Sequence, residues 1–236
     1  RKFIPPETVG EGPCKENILT GDDVDLYRLP APFIHKDDGG RYINTWGIVI
    51  VRTPDKKWTN WSINRVMITG RNTLTGTGFK GQHLGDIFNQ WKEKKTPMRF
   101  AIAMGVDPAI PFVGGMPIPD GVSEPDFVGG YLGEPVNVID CETVELQVPA
   151  TSEIVIEGTV ALNNKAEEGP MGEYTGYISK GGSSLQPVYE VSAITHRNAP
   201  ILPVVAAGEP VEENHTCWGI GISAEVTAEL RKHNFP

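Results

Sequence analysis

The sequence predicts a mainly β (α+β) fold, an antiparallel barrel or sandwich with a few appended helices. It contains 27 glycines and 20 prolines among 236 residues, and both residue types interrupt helices. Short runs rich in β-branched and aromatic residues alternate with turn residues along most of the chain. Hydrophobic residues make up 39% of the chain, which is enough to fill a core, so the glycine and proline content does not indicate disorder.

The N-terminal part of the chain predicts a lead-in followed by a hairpin. Residues 1–32 are polar and proline-rich and are expected to be extended. The run 42–52 (YINTWGIVIVR) is a strand candidate, and the turn residues 53–57 follow it. The run 58–68 (WTNWSINRVMI) then returns as a second strand.

One clear amphipathic helix is predicted from His83 to Lys95. Its apolar side chains recur at i, i+3, i+4 and i+7, namely Leu84, Ile87, Phe88 and Trp91. A second helix is predicted over 223–233, and Met98–Met104 is predicted as a short buried strand. Residues 105–135 hold seven glycines and six prolines and are expected to be an irregular functional segment. Further strands are predicted at 136–140, 143–148, 153–162, 173–178, 187–196 and 200–206.

Charge and composition exclude several classes of function. The formal net charge of −9 argues against a nucleic-acid-binding protein, which needs clustered Lys and Arg. The three cysteines are an odd number and lie far apart, so neither a disulfide framework nor a zinc site is expected. The chain has no apolar run of the ~20 residues that a membrane span needs. The sequence therefore predicts a cytoplasmic protein that binds neither nucleic acid nor membrane.

Three polar residues interrupt apolar or aromatic elements and are candidate metal ligands. Asn60 lies between two tryptophans, His83 begins the amphipathic helix, and Glu124 follows the turn 119–123. Together they would form a hard N/O donor set suited to Mn²⁺ or Mg²⁺. The N–H groups at the helix start beside His83 would also suit a phosphate. The alternative is a strand-edge Asn, a helix-capping His and a loop Glu, and spacing alone favours this alternative because the three positions do not form a motif.

A second candidate site is the segment EEGPMGE. A Gly-Pro-x-Gly turn separates Glu168 from Glu173, so both carboxylates could converge on one cleft, where one would act as a general acid. Arg65 is the candidate cation that would hold the other carboxylate ionised. By strict alternation Arg65 and Asn60 face opposite sides of a strand, so both reach one site only if the strand bulges or ends between them. The alternative is an acidic surface turn, which the residues alone favour.

Six ordered motifs resemble the UbiD-type decarboxylases. They are DGGRYI (38–43), WTNWSINR (58–65), GQH (81–83), MPIPDGVSE (116–124), PATSEIVIEG (149–158) and EGPMGE (168–173). The resemblance covers roughly residues 20–225. The WTNWSI run is most similar to the fungal ferulic/cinnamic acid decarboxylase branch.

The resemblance implies a split β-barrel that binds prenylated FMN, Mn²⁺ (or Mg²⁺) and K⁺. It assigns Asn60, His83 and Glu124 to the Mn²⁺ ion, and Trp61, Met116 and Glu124 to K⁺. The implied cofactor-binding residues are Asn60, Ser62, Ile63, Asn64, Arg65, Gln82, His83, Met116 and Glu124. The catalytic network that it implies is Arg65, Glu168 and Glu173.

The implied reaction is the non-oxidative, reversible decarboxylation of an α,β-unsaturated or (hetero)aromatic acid through a covalent cofactor–substrate adduct. Glu173 would protonate the carbon that loses CO₂, Arg65 would orient the acid, and Glu168 would tune both. The implied substrate pocket comprises Phe79, Tyr174, Asn214 and Trp218. Tyr174 and Trp218 are bulkier than is usual in cinnamate-type members, which favours a planar aromatic or heteroaromatic acid. Met171 stands where the family commonly has Phe.

Family members are considerably longer than this chain and form homodimers through a C-terminal domain. The resemblance therefore divides the chain into a lead-in (1–32), a barrel (33–222) and the start of a linker helix (223–236) to that C-terminal domain. A flavin prenyltransferase would supply the cofactor. Two alternatives remain: a flavin- and metal-binding module without turnover, because the closing domain is absent, and a structural β domain without a cofactor.

Overall fold

The computed structural model describes residues 3–173, 175–177 and 182–235. Twelve strands and four α-helices are described, together with three short 3-10 turns near the N-terminal end. In chain order they are β1 (Glu7–Thr8), β2 (Asn17–Thr20), β3 (Tyr42–Asn44), β4 (Ile48–Arg52), β5 (Thr59–Ser62), β6 (Val66–Gly70), β7 (Thr73–Gly76), α1 (His83–Glu93), β8 (Met98–Met104), α2 (Ala109–Gly114), α3 (Glu124–Leu132), β9 (Asn137–Asp140), β10 (Gln147–Pro149), β11 (Ile154–Glu168), β12 (Ser184–His196) and α4 (Glu213–Lys232).

Nine of the described strands form one antiparallel sheet that curls into a half-barrel. Its strand order is β3-β6-β7-β12-β11-β8-β4-β5, and β2 pairs with β12 beside this path. Strands β1, β9 and β10 form a separate small sheet, in which β1 and β9 run parallel. The predicted mainly β (α+β) fold with a few appended helices is confirmed.

The half-barrel is buried on both faces at its centre because alternate residues of the strands enter two different cores. On β4, Val49 and Val51 join the core that is covered by α1, whereas Ile48 and Ile50 join the core beneath α2, α3 and the small sheet. Strands β8 and β11 divide their side chains between the same two cores. The near-continuous apolar run of β4 follows from this two-sided burial.

The predicted hairpin is confirmed, and it places Val51 of β4 opposite Asn60 of β5. The prediction of single strands over 42–52 and 58–68 is wrong, since each run divides into two strands. In the first run, the Asn44 side chain accepts the Gly47 N–H at 2.8 Å and closes a turn between β3 and β4. The second run is interrupted over 63–65, which has direct consequences for the site.

Several boundaries differ from the predictions. The strand β8 is found as predicted, and α1 ends two residues early, at Glu93. Residues 105–135 are not wholly irregular, because they contain α2 and α3; Pro125 lies in the first turn of α3, and Gly133, with φ +86°, ends it. Helix α4 begins ten residues before the predicted start of the C-terminal helix, because Glu212 caps it by accepting two backbone N–H groups.

The predicted strands after residue 140 are only partly found. Strands β11 and β12 are longer than predicted, and β10 occupies only the end of the run 143–148. Residues 200–206 form no strand, and neither do residues 173 and 175–177; the remainder of the run 173–178 lies outside the described residues. The lead-in is not merely extended, because β2 joins the large sheet and Leu26 is fully buried.

Helix α4 is the longest described helix, and it carries large exposed apolar side chains. They are Ile220, Ile222, Val226 and Leu230. No helix within the described residues combines the length and apolarity that crossing a membrane requires. The three cysteines are unpaired, as the sequence predicts.

We predict that Gly158→Ala destabilises the fold. An ideal Cβ at this position of β11 would lie 2.0 Å from the Glu190 carbonyl oxygen of β12, where the strand pairing shifts register. Relieving that clash requires backbone movement, with an expected loss of about 1–3 kcal/mol in the free energy of unfolding. Urea denaturation measures it, with Gly10→Ala as the control because no atom lies within 4 Å of its Cβ. Equal midpoints for the two variants would contradict the prediction.

Candidate functional site

The candidate metal ligands converge from three elements. Asn60 lies on β5, and His83 and Glu124 are the first residues of α1 and α3. The Asn60 Nδ2 donates to Glu124 Oε1 at 3.0 Å, and His83 Nδ1 lies 3.9 Å from the same oxygen. The structure therefore brings together the three residues that the sequence analysis combined.

Strand β5 holds Glu124 in place because β5 is the terminal strand of its sheet and its outward N–H groups need partners. The Trp61 N–H donates to Glu124 Oε2 at 2.9 Å, and the Thr59 N–H donates to Ser123 Oγ at 3.1 Å. The Trp58 indole N–H donates to the Val122 carbonyl at 3.0 Å. Residues 122–124 thus follow the edge of β5, which fixes the start of α3 against the strand.

The Glu124 carboxylate has little positive charge near it. The residue is 3% exposed, and among the described residues its ion-pair partner is the His83 imidazole. The Glu124 carboxylate raises the pKa of His83 against the lowering effect of partial burial, and Asp120, 2.8 Å from His83 Nε2, raises it further. Because this buried carboxylate has an imidazole rather than a Lys or Arg side chain as its ion-pair partner, the site favours binding of a cation.

The donor set depends on the amide of Asn60. Among residues 3–173, 175–177 and 182–235, no three His, Cys, Asp or Glu side chains cluster as a metal site requires. Asn60 is 1% exposed, and its Oδ1 accepts the Ser62 hydroxyl at 3.0 Å. An amide oxygen, an imidazole and a carboxylate remain a hard donor set that fits Mn²⁺ or Mg²⁺.

A cavity of about 610 Å³ opens beside these ligands. Of the residues with a predicted cofactor role, it is lined by Asn60, Ser62, Ile63, Gln82, His83, Met116 and Glu124. Trp218 of α4 closes one side and packs on Gly115, where an ideal Cβ would lie 2.1 Å from the Trp218 Nε1. Any side chain at residue 115 would therefore displace the indole.

A second cavity of about 440 Å³ adjoins the first and shares Ile63, Gln82 and Trp218 with it. Asn64, Arg65, Glu173 and Asn214 are among its lining residues. The two cavities together form one cleft, with the metal ligands in the first and Arg65 and Glu173 in the second, whereas the buried Glu168 lines neither.

The segment 63–65 makes this arrangement possible. Strand β5 ends at Ser62 and β6 begins at Val66, so Asn60 and Arg65 are no longer related by strand alternation. The prediction that the strand bulges or ends between them is confirmed. Neighbouring groups bond to the backbone of this segment: Asn44 Nδ2 donates to the Asn64 carbonyl at 2.8 Å, and the Ile63 N–H donates to the Gly114 carbonyl at 3.4 Å.

Arg65 connects the two carboxylates of the EGPMGE segment. Its Nε and Nη2 donate to the two oxygens of Glu168 at 2.8 and 2.9 Å, and its Nη1 donates to Glu173 Oε1. Glu168 is fully buried, whereas the Glu173 side chain is 42% exposed. Burial alone would lower the pKa of Arg65, but the hydrogen bonds and charge of Glu168, followed by the charge of Glu173, raise it. The surface-turn interpretation is therefore wrong for Glu168.

Several assigned residues lie elsewhere. Phe79 lines neither cavity and packs in the core against Phe88 and Tyr189, with ring centroids 5.0 and 5.8 Å away. Trp61 is buried and contributes its backbone N–H to Glu124, so a K⁺ site there stays a prediction. Tyr174 lies outside the described residues.

Sequence reasoning missed two contacts of the site. The Tyr42 hydroxyl donates to Glu168 Oε1 at 2.9 Å, and the Trp58 and His83 rings form a T-shaped contact with 4.8 Å between centroids. Burial, followed by the charge and hydrogen bond of Glu168, raises the pKa of Tyr42, so the phenol remains a donor. Tyr42 belongs to the motif DGGRYI, which carries the signal but has no role assigned from sequence.

Comparison with known proteins identifies related chains. A UbiD family model, described as "3-octaprenyl-4-hydroxybenzoate carboxy-lyase Rift-related domain", matches residues 7–210. The pyrrole-2-carboxylic acid decarboxylase of Pseudomonas aeruginosa is 48% identical over 233 residues, which cover 99% of this chain and 47% of that protein. Ferulic acid decarboxylase 1 of Saccharomyces cerevisiae is 46% identical, covering 94% of this chain and 45% of that protein.

A solved structure has the same fold. An evolved dimeric form of the UbiD-class enzyme HmfF from Pelotomaculum thermopropionicum, in complex with prFMN, matches with a TM-score of 0.89 at 33% identity. The match covers 98% of this chain and 53% of that one. The chain spans about half the length of the curated relatives that it matches.

We predict that Arg65→Ala lowers the free energy of unfolding by about 3–5 kcal/mol, because it leaves the buried Glu168 carboxylate without its cation. Urea denaturation measures the loss. The control is Glu145→Gln, which breaks the exposed ion pair with Lys56 and should leave the midpoint nearly unchanged. If Arg65→Ala changed the midpoint no more than the control, Glu168 would not need its cation for stability.

Proposed function

The chain belongs to the UbiD family of carboxy-lyases, and from that premise we propose that it forms the cofactor-binding part of a decarboxylase. The substrate class that we propose is an aromatic, heteroaromatic or α,β-unsaturated carboxylic acid. The observation that carries the proposal is Arg65, which holds one fully buried and one accessible carboxylate at the end of a cleft. At the other end of that cleft lie Asn60, His83 and Glu124.

The residues of the larger cavity fit prenylated FMN held through a divalent cation. Asn60, His83 and Glu124 would hold Mn²⁺ or Mg²⁺, and the cation would satisfy the buried charge of Glu124. Gly114 and Gly115 line the same cavity. Ser62, Ile63, Asn64, Gln82 and Met116 would complete the cofactor site, and K⁺ would bind near Trp61, Met116 and Glu124. When bound, the cofactor supplies the electron sink for loss of CO₂.

Arg65 has the hydrogen-bonding capacity to orient the acid. Its guanidinium has five N–H donors, of which three bond to Glu168 and Glu173. The remaining donors are available to a substrate carboxylate in the smaller cavity. The bidentate contact with Glu168 fixes the plane of the guanidinium, so the direction of those donors is set before the substrate arrives.

Glu173 is the proposed proton donor. The carbon that loses CO₂ must gain a proton, and Glu173 is the carboxylate of the network that lines the cavity. Its 42% exposure gives it a route to recover a proton from solvent after each turnover. Glu168 is fully buried and bonded to both Arg65 and Tyr42, so it serves to hold Arg65 rather than to exchange protons.

The substrate pocket that we propose includes Asn214 and Trp218, which line the smaller cavity. The indole of Trp218 narrows the cleft where the two cavities meet and favours a flat ring. The similarity to a pyrrole-2-carboxylic acid decarboxylase supports a small heteroaromatic acid. The contribution of Tyr174 stays a prediction.

We also propose that the whole protein is a homodimer and that a flavin prenyltransferase supplies its cofactor. The exposed apolar side chains of α4 support a covering domain or second subunit. The structural neighbour HmfF is described in a dimeric form.

We predict that Glu173→Gln lowers CO₂ release at least about 100-fold, because an amide cannot donate the required proton. The measurement is headspace CO₂ from the full-length, cofactor-loaded protein. The control is Glu167→Gln, an exposed carboxylate of the same segment that bonds to Ser183 rather than to Arg65. If the Glu173 variant kept full CO₂ release, Glu173 would not be the acid; if wild-type protein held flavin without releasing CO₂, the module without turnover would be favoured.

We predict that Glu124→Gln weakens Mn²⁺ retention at least about tenfold and releases flavin with it, because the only carboxylate of the donor set is lost. Metal analysis and the visible absorption spectrum after gel filtration measure both. Asp126→Asn is the control, since this carboxylate lies on the same helix without contacting the other ligands. Unchanged metal and flavin contents in the Glu124 variant would exclude it as a ligand.

A further inference from the structure

The motif DGGRYI has no role in the proposed function, yet its first five residues contact most of the segment that carries Glu168 and Glu173. We call residues 38–42 the clamp segment and residues 168–173 the carboxylate loop. The clamp segment ends in β3, while the carboxylate loop leaves the end of β11. More than a hundred residues separate them in sequence, so only the fold brings them together.

Tyr42 anchors the first residue of the carboxylate loop. Its hydroxyl donates to Glu168 Oε1 at 2.9 Å, on the same oxygen that accepts Arg65 Nε at 2.8 Å. The Tyr42 side chain is fully buried and forms a small apolar cluster with Met67 and Met171. One side chain thus fixes both a carboxylate and an apolar residue of the loop.

The middle of the loop is joined to the clamp segment through backbone. The Gly39 N–H donates to the Pro170 carbonyl at 2.7 Å. An ideal Cβ at Gly39 would lie 2.1 Å from the Gly169 carbonyl oxygen, so the backbones of the clamp segment and the carboxylate loop approach as closely as glycine permits. This contact leaves no room for the carboxylate loop to move closer to the clamp segment.

Asp38 anchors the residue next to Glu173. Its buried carboxylate accepts the Gly172 N–H at 3.0 Å through Oδ1, and the N–H groups of Ile34 and His35 through Oδ2 at 3.1 and 2.7 Å. The His35 ring lies between Asp38 Oδ1, 3.2 Å from its Nδ1, and the Ala207 carbonyl at its Nε2. Asp38 therefore couples the loop to residue 207 of the smaller cavity.

We propose that the clamp segment positions the carboxylate loop for proton transfer, with Tyr42 holding Glu168 against Arg65 and Asp38 holding the backbone that presents Glu173. This inference rests on the proposed function, because it assigns the clamp to the network that protonates the product. Tyr42 and Asp38 are positioning residues, since both act through Glu168, Arg65 and Glu173. Neither residue lines either of the two cavities.

The clamp predicts a loss of rate rather than of binding. Glu168 is held by Arg65 from segment 63–65 and by Tyr42 from β3, and Glu173 lies across Arg65. Removing the Tyr42 hydroxyl takes one hydrogen-bond donor from Glu168, so the Glu168 carboxylate and the Arg65 guanidinium are held less firmly. The position of Glu173 relative to the reacting carbon then becomes less well defined.

The test uses Tyr42→Phe and Asp38→Asn in the full-length, cofactor-loaded protein. We expect kcat to fall roughly 10- to 100-fold with little change in KM, since misplacing a reacting group costs rate rather than binding. Hydrogen exchange across residues 168–173, measured with and without cofactor, should be faster in both variants.

Matched controls separate positioning from a general loss of stability. Tyr189→Phe removes the hydroxyl of another buried tyrosine, for which the described residues provide no hydrogen-bond acceptor. Glu157→Gln alters another buried carboxylate, which accepts the N–H groups of Glu142, Thr143 and Val144 away from the cleft. Both should keep the wild-type kcat and the wild-type rate of hydrogen exchange in the carboxylate loop.

The proposal would be overturned if the amides of the carboxylate loop exchanged hydrogen at the wild-type rate in both Tyr42→Phe and Asp38→Asn. Faster exchange with unchanged kcat would also overturn it, provided that Glu173→Gln removes CO₂ release. If Glu173→Gln has no effect on CO₂ release, the proposed function fails instead. In that case the hydrogen-exchange rates measured without cofactor still test whether the clamp segment fixes the carboxylate loop.

Discussion

The interruption of strand pairing over residues 63–65 is the constraint on which the site depends. Strands β5 and β6 are consecutive in sequence, but one is the last strand of the sheet and the other lies next to the opposite end. The short segment between them therefore crosses the open side of the half-barrel. It brings Asn60 to one cavity and Arg65 to the adjoining one, an arrangement that a continuous strand cannot produce because alternate residues face opposite sides.

Two buried carboxylates show how the fold divides the charges of the cleft. Glu168 is compensated from within the chain, since Arg65 forms two hydrogen bonds with it and Tyr42 a third. Glu124 is almost as deeply buried, but within the described part of the chain it accepts hydrogen bonds from one amide and one backbone N–H, with an imidazole 3.9 Å away. Burial of a carboxylate is costly without a cation. The first carboxylate is therefore suited to orienting a guanidinium, and the second to receiving a metal.

The closure of the cleft depends on α4, which packs Trp218 on the bare backbone of Gly115. The same helix lines both cavities and carries exposed apolar side chains, of which Ile222 also lines the larger cavity. The lining of the cleft and the unburied surface of α4 thus belong to one element. A domain or subunit that covered α4 would also restrict the movement of Trp218 at the junction of the two cavities.

The sequence by itself determined the local features of this protein: the mainly β class, the hairpin β4–β5, the position of β8 and the start of α1, all of which follow from side-chain alternation or helical periodicity. Residue type and motif also selected Asn60, His83, Glu124, Arg65, Glu168 and Glu173 as candidate site residues. The sequence did not predict α2 and α3, because the many glycines and prolines of residues 105–135 indicated an irregular segment. Glycine and proline occur at helix ends as readily as in loops. Only the tertiary structure decided which residues meet: the break after Ser62, the burial of Glu168 and the contacts of Asp38 and Tyr42 with a loop more than a hundred residues away. Such contacts depend on how the sheet curls, and neither strand alternation nor helical periodicity in the sequence indicates them.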